Sequence, residues 1–326
     1  MKKGYLYIIF ATILFSTMEV SLKMTSGKFN PIQLTFLRFF IGGVLLLPIA
    51  IKIIRKRKIK LEVKDFKFFL ITGFICVVVS MILYQLAISS SQASIVAILF
   101  SCNPIFVIPI AYFALKEAIY KDTIISMVIS VLGIFVILNP FNMSISIIGI
   151  AYTLLSALTF ALYGIIGKKK SKEYGGIVVS SLSFILGSME LLIFIMISRI
   201  NFVATFFNEI GMKNFARVPV LKGITLGTLP ELIYIGIFVT GLGYTFYFLA
   251  MEETSASVAS LVFYIKPALA PCFALIILKE AIKFNTVIGI VLILLGSSIT
   301  FIQNSRRNRE LEKENEHKKV SVNAGA

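Results

Sequence analysis

Apolar residues run along this chain in blocks about 20 residues long, parted by short polar connections, and that is the length of helix that crosses a bilayer. Ten such spans can be drawn, at 4–24, 31–52, 66–89, 93–116, 121–139, 146–166, 175–197, 231–252, 256–279 and 284–304. No ten-residue segments of alternating polarity occur, which argues against an outer-membrane barrel. Connections such as "SSSQ" and "PFNMSIS" are so short that the helices they join must run antiparallel. The opening "MKKGYLYIIFATILFS" has the basic start and apolar core of a signal peptide. No A-x-A-like cleavage site follows, and the apolar run continues to Lys23, so it reads as a retained first span.

Composition agrees with that pattern. Of the 326 residues 58% are hydrophobic and 15% charged, too few polar groups to clothe a water-facing surface of this size. The expected class is an all-α polytopic protein with the lipid bilayer as its solvent. A formal charge of +16 would suit nucleic acid, but position decides against it: the basic residues gather in connections and in the tail. With the N-terminus inside, internal segments carry 22 Lys and Arg and external segments 8 of the 32. That bias places both termini in the cytoplasm, in a multi-pass protein of the plasma membrane. Cys76, Cys102 and Cys272 all fall inside apolar runs, as packing residues do, and the lone histidine, His317, lies in the polar tail. Neither a metal site nor a histidine-based triad can be built from these, and no cofactor is expected.

The chain also repeats itself. "SQASIVAILFSCNPIFVIPIAYFALKE" is echoed by "TSASVASLVFYIKPALAPCFALIILKE". A shift of 163 pairs Tyr84 with Tyr247, Ala93-Ser94 with Ala256-Ser257, Phe100 with Phe263, Pro104 with Pro267 and Lys116-Glu117 with Lys279-Glu280. A shift of 145 pairs Phe15 with Phe160 and Lys23 with Lys168, the difference of 18 being an insertion after the seventh span. Five spans is an odd number, so the two copies would enter the membrane in opposite senses. Inverted repeats of this kind build transporters with a substrate site near the midplane.

Two five-helix repeats, each with a proline in its fourth helix and a Lys-Glu closing that helix, resemble the drug/metabolite transporter superfamily, in its EamA-type branch. The resemblance spans residues 1–304 and divides them into a first repeat, 1–140, and a second, 141–304, with an external insertion at about 198–230. Residues 305–326 form a cytoplasmic polar tail. What the resemblance implies is ten helices around a central cavity and movement of small metabolites, most often export of amino acids or related compounds. Sugars, nucleotide derivatives, drugs and lipid carriers are cargoes of the same superfamily. A built-in ATPase is excluded by the lack of a Walker A motif, and no H-E-x-x-H, G-x-S-x-G or paired-acid motif suggests an enzyme.

Ionisable side chains in hydrocarbon are costly and so mark functional positions. Four lie away from the span ends, within the hydrocarbon: Glu19, Arg38, Glu190 and Lys266. Glu19 and Arg38 lie at similar depths and are expected to form an ion pair between the first two spans. Glu19 and Glu190 are the candidate sites for a proton, or another ion, that drives movement of a small-molecule substrate. Lys266 is near the midplane, before Pro267, where a kinked helix would leave a free carbonyl beside a cation. It suits an anionic substrate group, or else a counter-ion role to Glu190. Asn103 and Pro104 hold the matching place in the first copy, and Tyr84, Tyr247 and Tyr264 are candidates to line the same cavity. The Lys116-Glu117 and Lys279-Glu280 pairs read as helix-end surface pairs or as gating salt bridges. The insertion lies in the interface or lids the outer mouth.

Overall fold

A computed structural model describes residues 2–138, 146–296, 298–299, 302–303 and 306. The tail beyond residue 306, with His317, lies outside the described residues. Among the described residues the regular structure is helical, apart from one isolated bridge between Ser26 and Phe29. Eight helices among the described residues are long and apolar enough to cross a membrane. They are α1 (Lys3–Met24), α2 (Pro31–Lys56), α3 (Val63–Ser90), α4 (Ala93–Leu115), α6 (Ile147–Tyr174), α7 (Gly176–Ile197), α8 (Leu229–Glu253) and α9 (Ala256–Leu278). Two further helices, α5 (Lys121–Leu138) and α10 (Phe284–Gly296), were expected to cross and do not belong to that set; both border residues outside the described ones.

Local sequence explains several helix ends. Before α2, Asn30 accepts from the amides of Ile32 (2.9 Å) and Gln33 (3.4 Å), while Gln33 accepts from the Asn30 amide at 3.4 Å. With Pro31 at the first helical position, this is a complete capping box. α6 runs eight residues past its expected end, through "KKKSKEY", because lysines and glutamate are good helix formers once the helix leaves the lipid. It stops at Gly175, whose φ of 94° only glycine adopts freely.

α2 packs along α7, α1 along α8 and α9, and α6 against α3 and α4. Where α3 crosses α7 the backbones touch through glycines: a Cβ on Gly73 would stand 2.5 Å from the Ser183 carbonyl and 2.6 Å from the Gly187 amide. Small residues permit such close approach between membrane helices. The outward faces carry exposed Ile9, Phe113, Ile125 and Ile276, as a lipid-facing surface does.

Five of the long helices are irregular, α1 at Thr17 and four others in matched pairs. α3 widens to a π-helix over Phe74–Ser80 and α8 over Tyr234–Gly243. α4 breaks into Ala93–Phe100 and Asn103–Leu115, and α9 into Ala256–Ala259 and Val262–Leu278. The expected interruption at Lys266-Pro267 is therefore displaced. Pro267 sits within the helix that starts at Val262, and the break falls at Ser260-Leu261, where i→i−3 bonds such as Phe263 N to Ser260 O (2.9 Å) tighten the chain. The break lies nearly two turns before Pro267, beyond the i−4 carbonyl that its ring disturbs, and matches the break of α4 at Ser101-Cys102.

The insertion after α7 holds a short helix, Asn201–Glu209, and is tied to the α1–α2 connection. Gln33 donates to the carbonyls of Val220 (3.0 Å) and Lys222 (2.6 Å), Asn30 to that of Asn214 (3.0 Å), and Lys28 pairs with Glu231 at 2.9 Å. A cleft of about 480 Å³ opens between these segments.

Candidate functional site

Glu19, in the last turns of α1, and Lys266, in the middle of α9, form an ion pair at the centre of the bundle, both side chains sealed from solvent. The Tyr84 hydroxyl, from α3, donates a short hydrogen bond to the same carboxylate oxygen and lies 3.5 Å from the Lys266 Nζ. The ammonium also stands 5.1 Å from the centroid of Phe100 and 5.8 Å from that of Tyr84, within cation–π range. Three helices thus meet on one charge pair. The second carboxylate oxygen, Glu19 Oε2, has no hydrogen-bond partner among the described residues.

Arg38 does not pair with Glu19 as the sequence suggests; Lys266 takes that place. Arg38 is wholly buried on α2, with its guanidinium carbon 4.5 Å from the Phe39 ring and Nη1 3.9 Å from the Met18 sulfur. Glu19, Tyr84, Tyr244 and Cys76 are within electrostatic reach of it. Asn103, just after the break in α4, donates 2.8 Å to the Ala157 carbonyl of α6, joining the two helices; Pro104 and Pro267 are buried beside these residues. Tyr247 packs in an aromatic cluster rather than on the ion pair, and Tyr264 turns toward α5, with Ser126 as its polar neighbour. Glu190 is half-buried on α7 and forms no ion pair with a described residue.

The aromatic cluster is a feature that residue-by-residue reading misses. Phe15, Phe160, Phe100 and Phe263 meet with centroids 5.5–6.2 Å apart. They come from α1, α6, α4 and α9 and are the two ring pairs that the repeat equates. Only the repeat itself signals them.

The repeat is equally visible at the ends of α4 and α9. Each helix ends on a lysine in the left-handed region, Lys116 at φ 59° and Lys279 at φ 56°, a conformation costly for a residue with a side chain. The next amide bonds back into the helix, Glu117 to Ala111 O at 3.4 Å and Glu280 to Ala274 O at 3.2 Å. That tight exit aims each glutamate at the start of the other helix. Glu117 accepts from the amides of Ala256 (3.0 Å) and Ser257 (3.2 Å) and from the Ser257 hydroxyl (2.7 Å). Glu280 accepts from Ala93 N (2.9 Å), Ser94 N (3.1 Å) and Ser94 Oγ (2.6 Å).

A carboxylate there fills orphan amides and complements the positive end of the helix. A lysine completes each set. Lys23 donates to the carbonyls of Ile88 (2.9 Å) and Ser91 (2.7 Å) at the end of α3, and Lys168 to that of Thr254 (3.4 Å) at the end of α8. Glu280 is within electrostatic reach of Lys23, and Glu117 of Lys168. Neither surface pairing nor Lys-Glu salt bridging within a pair describes these residues: the glutamates are reciprocal helix caps.

An all-helical bundle with a lipid-facing exterior, a sealed charge pair at its core and matched closures at two loops defines a multi-pass membrane protein built to handle a small solute. Comparison with known proteins gives the family. The EamA-like transporter family matches residues 2–139 and again 147–302, and the chain belongs to it. It is a membrane transporter, not an enzyme. An uncharacterized transporter of Clostridium kluyveri is 40% identical over 316 residues, covering 94% of this chain and 96% of its own. One from Archaeoglobus fulgidus is 30% identical over 292 residues, with 89% and 94% covered, and YoaV of Bacillus subtilis, an uncharacterized transporter, is 24% identical over 310, with 94% and 99% covered. A solved crystal structure superposes with a TM-score of 0.69 over 94% of this chain and 98% of its own, at 14% identity, and so shares the fold.

Proposed function

We propose that this transporter is a secondary carrier of ten helices, arranged as two inverted five-helix repeats, that works by alternating access. The observation carrying this reading is the pair of equivalent clasps. Glu117 with Lys168 ties the start of α9 and the end of α8; Glu280 with Lys23 ties the start of α4 and the end of α3. In a carrier, one clasp would open while the other serves as the pivot, exposing the Glu19–Lys266 pair to one side at a time. With both engaged and the pair sealed, the structure corresponds to the occluded state between the two.

Hydrogen bonds to charged groups contribute about 1.5–3 kcal/mol each where water does not replace them. Water does replace them when a clasp opens, so a few kcal/mol per clasp is the scale, within the range that cargo binding can shift. Lys266 is the proposed contact for an anionic group of the cargo, with Tyr84 beside it and Asn103 as a further proposed cavity residue. Amino acids or related metabolites are the proposed cargo, moved outward, and the basic bias of the connections supports both termini in the cytoplasm. Glu19, held between Lys266 and Tyr84, is the proposed proton site, with Glu190 as the second candidate.

Counterflow of a labelled panel of amino acids and related metabolites into proteoliposomes tests the reading. Flux above that of empty vesicles is expected, lost in Lys266→Ala. A panel in which nothing moves faster than into empty vesicles would refute it.

A further inference from the structure

The centre of the bundle is unbalanced in charge. Lys266 and Arg38 are cations and Glu19 is the one carboxylate acting on both, so the cluster carries a net positive charge in wholly buried surroundings. Lys266 is neutralised by direct contact, while Arg38 forms no ion pair with a described residue. Its Nε and Nη2 have no hydrogen-bond partner among the described residues. These two nitrogens are neighbours on one edge of the guanidinium, the edge that grips both oxygens of a carboxylate in parallel. The remaining nitrogen, Nη1, lies 3.9 Å from the Met18 sulfur, and the Tyr244 hydroxyl is a further polar neighbour of the guanidinium.

A buried guanidinium with one whole bidentate edge unfilled is expensive, and buried polar groups left unsatisfied in native proteins call for an explanation. Burial on the lipid side cannot relieve it, since the side chain is enclosed by Phe39, Met18, Tyr84 and Tyr244 rather than reaching an interface.

We infer that the Nε–Nη2 edge of Arg38 is the docking site for a carboxylate of the cargo, and that the cargo carries one net negative charge. This rests on the transport reading above and narrows it, moving the carboxylate contact from Lys266, which Glu19 already neutralises, to Arg38: an acidic amino acid or a simple carboxylate balances the cluster, whereas a neutral zwitterion leaves it one charge in excess. Glu19, which contacts Lys266 and acts on Arg38, links the two cations, and its unpartnered Oε2 is the acceptor left for a hydroxyl or ammonium group of the cargo.

Solutes differing by one negative charge test this directly: glutamate against glutamine, lactate against lactamide, and a wider set of carboxylates paired with their amides. The readout is ligand-dependent thermal stabilisation of the purified full chain in detergent. The anionic members are expected to act at concentrations about 30-fold or more below their neutral partners, since a site built for a charged group rejects the analogue lacking it. Arg38→Gln should abolish that preference, and Arg38→Lys, which cannot form the fork, should weaken it about 10-fold.

A wild-type panel with no carboxylate preferred over its amide overturns the inference without recourse to any variant, as does a preference that persists in Arg38→Gln. Counterflow in the same preparation separates the two failures. Flux of some solute without carboxylate preference removes the anion site alone, while absence of all flux removes the transport reading.

Discussion

Weakening one clasp should open one end of the protein and not the other. Glu280→Gln is the cleanest perturbation, because glutamine keeps the shape and one acceptor oxygen while removing the charge. The wild-type carboxylate accepts three bonds, at 2.9, 3.1 and 2.6 Å. Glutamine keeps the bonds to one oxygen as neutral ones, at about 1 kcal/mol each, and loses at least the one made to the other, where its NH2 cannot accept. The site is only part-buried, and water competes for the freed amides once the end opens, so the net effect is nearer 1–2 kcal/mol, or roughly a 5- to 30-fold shift in the open-to-closed ratio.

Ala97, one turn below Ser94, and its repeat equivalent Ser260 are both fully buried beneath the two clasps. Ala97→Cys and Ser260→Cys, in a background without Cys76, Cys102 and Cys272, report on the two ends when treated with a membrane-impermeant thiol reagent. Glu280→Gln should raise labelling of Ala97→Cys by the factor above and leave Ser260→Cys unchanged; Glu117→Gln should do the reverse. Equal change at both cysteines, or no change at either, would refute the reasoning.

The central pair makes further predictions. Lys266→Met removes the direct ion-pair partner of Glu19, leaving it Tyr84 and the more distant Arg38, and should lower stability by up to about 3 kcal/mol, most of which Lys266→Met combined with Glu19→Gln restores without restoring transport; thermal unfolding and counterflow report the two effects. Tyr84→Phe removes the hydroxyl bonded to Glu19 and should cost about 1.5–3 kcal/mol by the same unfolding measurement. Gly73→Ala drives a methyl into the Ser183 carbonyl and Gly187 amide, so α3 and α7 must separate, at a cost of about 1–3 kcal/mol.

Much of this was legible before any coordinates. Apolar blocks locate the long helices because lipid demands continuous hydrophobic length, and the repeat equates Glu117 with Glu280 and Lys23 with Lys168 correctly as structural counterparts. The four intramembrane charges stand out for the same reason that made them costly. Their partners did not follow, since depth along two helices says nothing of rotation or tilt. Glu19 and Arg38 share a depth, yet α1 turns its carboxylate toward α9. The break in α9 falls at Ser260-Leu261 rather than at the proline and matches the break of α4, so it follows the repeat and not the ring. The glutamate caps were hidden for a third reason. A charged pair at a span end looks like a surface feature until the opposite repeat is seen to place bare amides in front of it.

Trans-stimulation is the sharpest single test of a carrier with two alternating closures. Proteoliposomes loaded with a labelled cargo are diluted into medium with or without the same solute unlabelled, and efflux is timed. A carrier that reorients through the occluded state returns faster loaded than empty, so external solute should accelerate efflux, with saturation as its concentration rises. Efflux that is indifferent to external solute and never saturates would mark an open pathway and contradict the account.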